Sequence, residues 1–91
     1  NYSAHTEFCN NENSYLVNIE NEEDAQDGVF FKGNVGEWAS IGEKQVQKFA
    51  DHMRHVHELK QNNRLQGNSH GVTTAKKFNW NYSAQKVILY V

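Results

Sequence analysis

The sequence predicts a mixed α/β fold in which one or two short strands are followed by three packed helices. Length is the first observation behind this prediction, because 91 residues with a net charge of −2 form at most one small domain. A change in periodicity is the second: short aromatic and β-branched runs occur before residue 40, and helical spacing of apolar residues follows it. We therefore treat residues 1–91 as a single segment with a loop and short-strand region, 1–39, and a three-helix region, 40–91.

The amino-acid composition is polar and argues against several classes of protein. Hydrophobic residues make up 37% of the chain and mean hydropathy is −0.85, so the core should be thin. No run approaches the roughly 20 apolar residues of a membrane-spanning helix. The single Cys9 cannot form an internal disulfide, and the slightly acidic balance argues against nucleic acid as a partner. We expect a cytoplasmic protein and, since the chain starts at Asn1 rather than methionine, a piece of a larger one.

The region before residue 40 alternates between polar and apolar stretches. Residues 1–14 are rich in turn-forming asparagine, and the aromatic and β-branched run Tyr15–Ile19 predicts a strand. The acidic stretch Glu20–Asp27 is interpreted as a solvated loop, because its carboxylates lack the alternating spacing of a calcium loop. Val29–Phe31 forms a second short apolar patch before the glycines that follow.

A first long helix is predicted from Ile41 to Lys60, ending at Asn62 and Asn63. Ser40 and Glu43 have the spacing of a capping box, in which two side chains satisfy backbone amides at a helix start. Apolar residues then recur at three- and four-residue steps and define one face of the helix: Val46, Phe49, Ala50, Met53 and Val56.

Two further helices are predicted toward the end of the sequence. The second should run from about Arg64 to Phe78, with a ridge of small residues at Gly67, Gly71 and Ala75. Because glycine weakens a helix, we expect another backbone to pack closely over this ridge. The third should begin at Asn79 as its cap, with one apolar face formed by Trp80, Ala84, Val87, Ile88 and Val91.

Single residues with catalytic or metal-binding chemistry give weak signals. His52, His55 and His57 cannot converge on one ion from a single helix, so we expect no metal there unless other ligands contribute. Cys9 would need contact with His5 or His70 to act as an activated nucleophile. The glycine-rich stretch 33–36 lacks the lysine of a phosphate-binding loop.

The order of five short stretches is more informative than any of them alone. They are NYSAHTEF (1–8), NSYLV (13–17), GEWA (36–39), MRHV (53–56) and AKKFNWNYSAQK (75–86). This series resembles the C-terminal end of retaining glycosyltransferases of the GT-B fold, in the large family 4 group, over nearly the whole chain. It departs from that family at Ser40–Gly42, where a proline and an acidic residue are usual.

The resemblance implies the C-terminal part of a Rossmann-like GT-B lobe and a piece of an enzyme that transfers a sugar from a nucleotide to an acceptor hydroxyl. Ser3, Thr6 and Glu7 match the loop that borders the donor site, although Glu7 equally fits a carboxylate at a helix N-terminus. The family's donor-binding glutamates and basic residues have no counterpart here, so the segment alone should be inactive and bind no cofactor. A nucleoside-diphosphate sugar is the donor expected for the whole enzyme.

Trp38, Phe78 and Trp80 are the large side chains expected to anchor the segment, with Trp80 at the joint to the other lobe. The partner of these side chains would be the remainder of the glycosyltransferase or a second copy of the chain. The alternative from another functional class is a small non-enzymatic α/β module that packs a helical face on a protein partner. A histidine-dependent metal binder is a third, more distant alternative.

Overall fold

A computed structural model describes residues 1–90 and contains two strands and three α-helices. A short 3-10 helix, Ser3–Glu7, precedes them. The remaining elements are β1 (Glu22–Gln26), β2 (Lys32–Ala39), α1 (Glu43–Gln61), α2 (Ser69–Lys77) and α3 (Trp80–Leu89). The mixed α/β class predicted from the sequence is therefore confirmed.

β1 and β2 form an antiparallel hairpin, so the prediction of a loop over Glu20–Asp27 is wrong for most of its length. Backbone pairing with β2 overrides the poor strand propensity of the acidic residues, and a bulge follows Asp24. Ala25 is the one buried apolar residue of the described chain, at 3% exposure. At the tip, Asp27 Oδ1 accepts hydrogen bonds of 2.8, 2.9 and 3.0 Å from the backbone amides of 29–31, which fixes the turn.

The strand predicted over Tyr15–Ile19 is not formed, because no neighbouring strand lies beside it within residues 1–90. Side chains of α1 bind its carbonyl groups instead. His52 Nε2 lies 2.8 Å from the Leu16 carbonyl oxygen, and Gln45 Nε2 donates to the Asn18 carbonyl oxygen at 3.4 Å. A segment with strand-forming residues is thus held as an irregular strap along α1.

α1 begins two residues later than predicted and uses a different cap. Gly42 precedes the first turn, and its amide donates to Gln45 Oε1 at 2.8 Å, so the capping box expected from Ser40 and Glu43 is wrong. The Ser40 amide is engaged by the Asn21 carbonyl oxygen at 2.9 Å. The predicted end is confirmed, since Asn62 follows the last helical residue.

α2 is shorter than predicted and begins only after its cap, Asn68. Gly67 therefore lies outside the helix, and the predicted ridge of three small residues is wrong. Gly71 has a local reason instead: a Cβ at this position would lie 2.8 Å from Asn68 Cγ. Glycine leaves space for the capping side chain, whose Oδ1 accepts from the Gly71 amide at 2.9 Å.

α3 confirms the predicted start. Asn79 is its cap, and its Oδ1 accepts from the Tyr82 amide at 2.8 Å. Side chains on the predicted apolar face are exposed to solvent, including Trp80 at 91% and Ile88 at 73%. Val91, also predicted on this face, lies outside the described residues.

The three helices do not pack against one another along their lengths within residues 1–90, contrary to the prediction of a packed three-helix region. The radius of gyration is 17.6 Å, whereas a compact chain of this length would have about 12 Å. The accessible surface is 8059 Å², against about 5,400 Å² for a folded monomer of this mass. Each helix has an apolar stripe but meets no partner stripe in the described chain. No helix in this part of the protein has the length and apolar character needed to cross a membrane.

Candidate functional site

The three donor-loop candidates lie together on the 3-10 helix Ser3–Glu7, and all three are exposed. Thr6 Oγ1 donates to the Ser3 carbonyl oxygen at 2.7 Å, which closes the turn from within. The Tyr2 amide donates to His5 Nε2 at 3.3 Å and caps the start. Five consecutive residues therefore form a compact, self-bonded loop whose outer side is open to solvent.

Ser3 has an unusual backbone conformation, with φ of +65°. A residue with a Cβ pays a steric cost in this left-handed region, and such strain concentrates at ligand-binding loops. The conformation brings the Ser3 carbonyl to Thr6 Oγ1 and turns the chain into the 3-10 helix. Glu7 is the last residue of that helix, so the reading of Glu7 as a carboxylate at a helix N-terminus does not match its position in this element.

A buried asparagine connects this loop to α2. Asn13 is 9% exposed, and its Nδ2 donates to the Phe8 carbonyl oxygen at 2.8 Å and to Thr74 Oγ1 at 3.1 Å. The backbone carbonyl oxygen of Asn13 accepts a hydrogen bond from Asn68 Nδ2 at 2.7 Å. We call these contacts the Asn13 network. Residues far apart in the sequence are joined here by amide side chains, so the network fixes where the donor-loop candidates lie relative to α2.

A mostly apolar groove of about 510 Å³ opens above the Asn13 network. Its walls come from the end of the N-terminal loop and from one side of α2: Phe8, Cys9, Asn13, Ser14, Gly71, Thr74, Ala75 and Phe78. The described lining begins at Phe8, so Ser3, Thr6 and Glu7 adjoin the groove along the chain but do not line it. The arrangement offers an apolar slot with Asn13, Ser14 and Thr74 as its polar side chains.

The three histidines His52, His55 and His57 all lie on α1. His52 binds the Leu16 carbonyl oxygen, and the Tyr15 ring packs against His52 and His55 at centroid distances of 5.3 and 5.8 Å. Among the residues that the structure describes, no three His, Cys, Asp or Glu side chains are arranged to hold a metal ion. Two of the histidines therefore fasten the irregular strap 15–19 to α1.

The surroundings of Cys9 and of the glycine-rich stretch 33–36 do not match the chemistry considered for them. The Cys9 amide donates to the His5 carbonyl oxygen at 2.8 Å, and within residues 1–90 no hydrogen bond joins the Cys9 thiol to either His5 or His70. Residues 33–36 lie inside β2 rather than at the start of a helix, which is the wrong context for a phosphate-binding loop. His70 lies 3.9 Å from a Glu12 carboxylate oxygen at the surface.

The three predicted anchors have different environments. Trp38 is half-buried on β2, donates from Nε1 to Glu23 at 3.2 Å and packs against the Phe31 ring. Phe78 links the N-terminal loop to α3, because its ring makes edge contacts with Phe8 and Tyr82. Trp80 is 91% exposed and anchors nothing in the described chain.

Negative charge is concentrated on one face of the hairpin. Asp24 pairs directly with Glu37, and Glu22 lies on the same face. A hydrogen bond and repulsion from Glu22 raise the pKa of Glu37, since the protonated form shares a hydrogen and carries no like charge. The opposite shift occurs at the tip, where backbone hydrogen bonds from Val29 and Phe31 lower the pKa of Asp27.

Two buried polar residues that hold the N-terminal part of the chain to the helices, Asn13 beside the groove and Gln45 on α1, were not identified from the sequence. Both are polar residues buried by their own hydrogen bonds, and neither belongs to an apolar pattern. The sequence marks Asn10 and Asn13 only as turn-forming residues, and this pattern does not indicate a hydrogen bond between Asn13 and Thr74. The position of Gln45, three residues after Gly42, could have indicated its capping role. The side chain of a glutamine at this position can accept a hydrogen bond from the backbone amide of the cap residue.

A scan against protein-family models, a search of curated proteins and a search of solved structures found no match to this chain.

Proposed function

We propose that the chain is the C-terminal segment of a retaining glycosyltransferase that transfers a sugar from a nucleoside diphosphate to an acceptor hydroxyl. The observation that carries the proposal is the uncovered apolar surface on helices whose sequence resembles the end of such enzymes. Phe49 and Met53 on α1 are 59% and 61% exposed, and Trp80 on α3 is 91% exposed. Helices that cover a larger Rossmann-like lobe would bury these side chains against it.

The strap 15–19 supports the same proposal. Its residues have the composition of a strand, yet its carbonyl groups bind α1 side chains. A buried parallel sheet needs short apolar strands of this kind. In a Rossmann-like lobe, a neighbouring strand would supply a backbone ladder along Tyr15–Ile19, and α1 would cover the sheet.

The loop 3–7 would then border the donor. A nucleotide sugar in such enzymes lies at the carboxyl ends of the strands, between two lobes. The exposed Glu7 carboxylate and Ser3 hydroxyl would contact the sugar or ribose hydroxyl groups, while Thr6 holds the loop through its bond to the Ser3 carbonyl oxygen. Basic residues and helix N-termini elsewhere in the enzyme would stabilise the phosphate charge of the leaving group.

The complete reading frame that contains this segment provides the test. We expect its product to bind and turn over one member of a panel of nucleoside-diphosphate sugars, and we expect isothermal titration of the same panel into the 91-residue chain to show no tight binding. In the complete protein, Glu7→Gln should weaken donor binding, whereas the matched exposed change Glu12→Gln should not. Sugar transfer by the 91-residue chain, or no donor binding by the complete protein, would contradict the proposal.

A non-enzymatic interaction module is the second candidate, and the exposed stripe of α1 favours it. Tyr15, Phe49, Met53 and Val56 line an apolar groove of about 390 Å³ that a helical partner could fill. The two candidates differ in the reading frame: a start codon just before Asn1 favours the module, and an upstream region with two glutamates separated by seven intervening residues favours the transferase.

A further inference from the structure

Charge is divided unevenly between the hairpin and the last two helices. The hairpin, Glu22–Ala39, has five carboxylates and one lysine. From Leu59 to the end of the sequence there is no acidic residue, while five cationic residues occur there: Lys60, Arg64, Lys76, Lys77 and Lys86. The two regions do not pack on each other over the described range, so this complementarity is not used within one chain.

The basic region also presents an uncovered apolar helix face. Trp80, Val87 and Ile88 share one side of α3 and are 91%, 63% and 73% exposed. On another side, Tyr82 packs against Phe78 and under Lys86 Nζ, which lies 5.5 Å from the ring centroid. Lys76 and Lys77 end α2 immediately before this face. We call Lys76, Lys77 and the Trp80 face the α3 surface.

The hairpin tip has the complementary properties. Val29 and Phe30 are 67% and 84% exposed, and the three hydrogen bonds to Asp27 hold their backbone in a fixed turn. Little conformational entropy is therefore lost when this tip binds. Repulsion among Glu22, Asp24 and Glu37 is unfavourable in the isolated chain, and a cationic partner would relieve it.

We propose that the α3 surface is a docking site for the β1–β2 hairpin of a second copy of this chain. The apolar tip of one copy packs on the Trp80 face, and the hairpin carboxylates lie against Lys76 and Lys77 of the other copy. In the proposed dimer a two-fold axis relates the copies, so the hairpin of each copy contacts the α3 surface of the other. This docking does not depend on sugar transfer, and it competes with any other lobe that covers Trp80.

Charge reversal with rescue tests the proposal on the 91-residue chain. By analytical ultracentrifugation we expect a dimer whose dissociation constant rises as salt increases from about 20 to about 500 mM, because screening shortens the reach of the charges. Glu22→Lys with Asp24→Lys should weaken the dimer about tenfold, and so should Lys76→Glu with Lys77→Glu. In an equimolar mixture of the two double variants, heterodimers should form, since the reversed surfaces attract each other.

Apolar variants locate the contact. Phe30→Ser and Trp80→Ala should each disrupt the dimer without changing the far-UV circular dichroism, because both side chains are almost fully exposed. Phe49→Ser on the α1 stripe is the matched control and should leave the dimer intact. A monomer at all concentrations, a dimer lost only with Phe49→Ser, or failure of the reversed pair to associate would overturn the proposal.

Discussion

The hairpin and the helical region are stabilised in opposite ways. The hairpin contains its own interactions: a backbone ladder, the bulge that buries Ala25 and the contact of Trp38 with Glu23 and Phe31. The helices each have a cap, but they share no core within residues 1–90. Two buried side-chain amides, Asn13 and Gln45, hold α2 and α1 to the N-terminal part of the chain. Tertiary order in this molecule therefore depends largely on polar contacts, whereas most large apolar side chains are exposed.

Among the predictions that test this difference between the two regions, the largest effect is expected for substitution of Asn13. Asn13→Ala removes the bonds to Phe8 and Thr74 and leaves their groups unpaired, so the free energy of unfolding should fall by about 1–3 kcal/mol. Urea titration followed by circular dichroism measures the change. Asn11→Ala, at an exposed position in the same turn, should change it by less than about 0.5 kcal/mol. Equal effects of the two substitutions would show that the Asn13 network does not hold α2.

Gly71 tests the link between α2 and that network. Glycine to alanine usually stabilises a helix, but here a Cβ would displace the Asn68 cap, so Gly71→Ala should destabilise the protein by about 0.5–2 kcal/mol. Gly67→Ala is the control, because nothing lies near its added Cβ. Thermal unfolding of both variants measures the difference. Stabilisation by Gly71→Ala would mean that the cap is not important.

Asn79 tests whether α3 depends on its own cap alone. Asn79→Ala should reduce helix content near the end of the chain at a cost of about 0.5 kcal/mol, the value typical of a cap on an isolated helix. Backbone amide exchange in α3 reports the change, and Asn81→Ala within the same helix is the control. Loss of protection in α1 after the same substitution would reveal packing between these helices.

The smallest effect is expected at Glu37. The pKa of its carboxyl is raised in the folded state, so its contribution is most favourable at low pH and is lost as pH rises through the folded-state value. Glu37→Gln should therefore stabilise the hairpin at neutral pH and have little effect at about pH 3, where the carboxyl is protonated in both states. Thermal unfolding at the two pH values measures the effect, and Glu58→Gln, an exposed change on α1, is the control.

Asp27 should respond to pH in the opposite direction. Hydrogen bonds to its carboxylate lower the pKa, so its stabilising effect is complete above the ordinary value for aspartate and is lost as pH falls through the lowered one. Nuclear magnetic resonance titration of the two carboxyl groups measures both shifts in one experiment. A pKa for Asp27 above that of Glu37 would contradict the structure of the hairpin.

Helical elements were predicted better than strands, for physical reasons. α1 and α3 lie close to their predicted positions because apolar spacing and the terminal asparagines are local signals. Strands need partners, so the run at 15–19 did not pair, and the acidic stretch paired because β2 lies beside it. Ser3, Thr6 and Glu7 lie together on the 3-10 helix Ser3–Glu7, but neither their link to α2 nor the groove beside Phe8 could be predicted.

Local patterns in the sequence account for α1 and α3, for the caps at Asn62 and Asn79, and for the polar composition that leaves few residues for a core. These features depend on residues within a few positions of one another. The folded chain alone shows that Asn13 contacts Thr74, that Gln45 and His52 bind the strap 15–19, and that the apolar stripes are uncovered within residues 1–90. Contacts of this kind join residues tens of positions apart, and a hydrogen bond between such residues depends on chain geometry that no local pattern records.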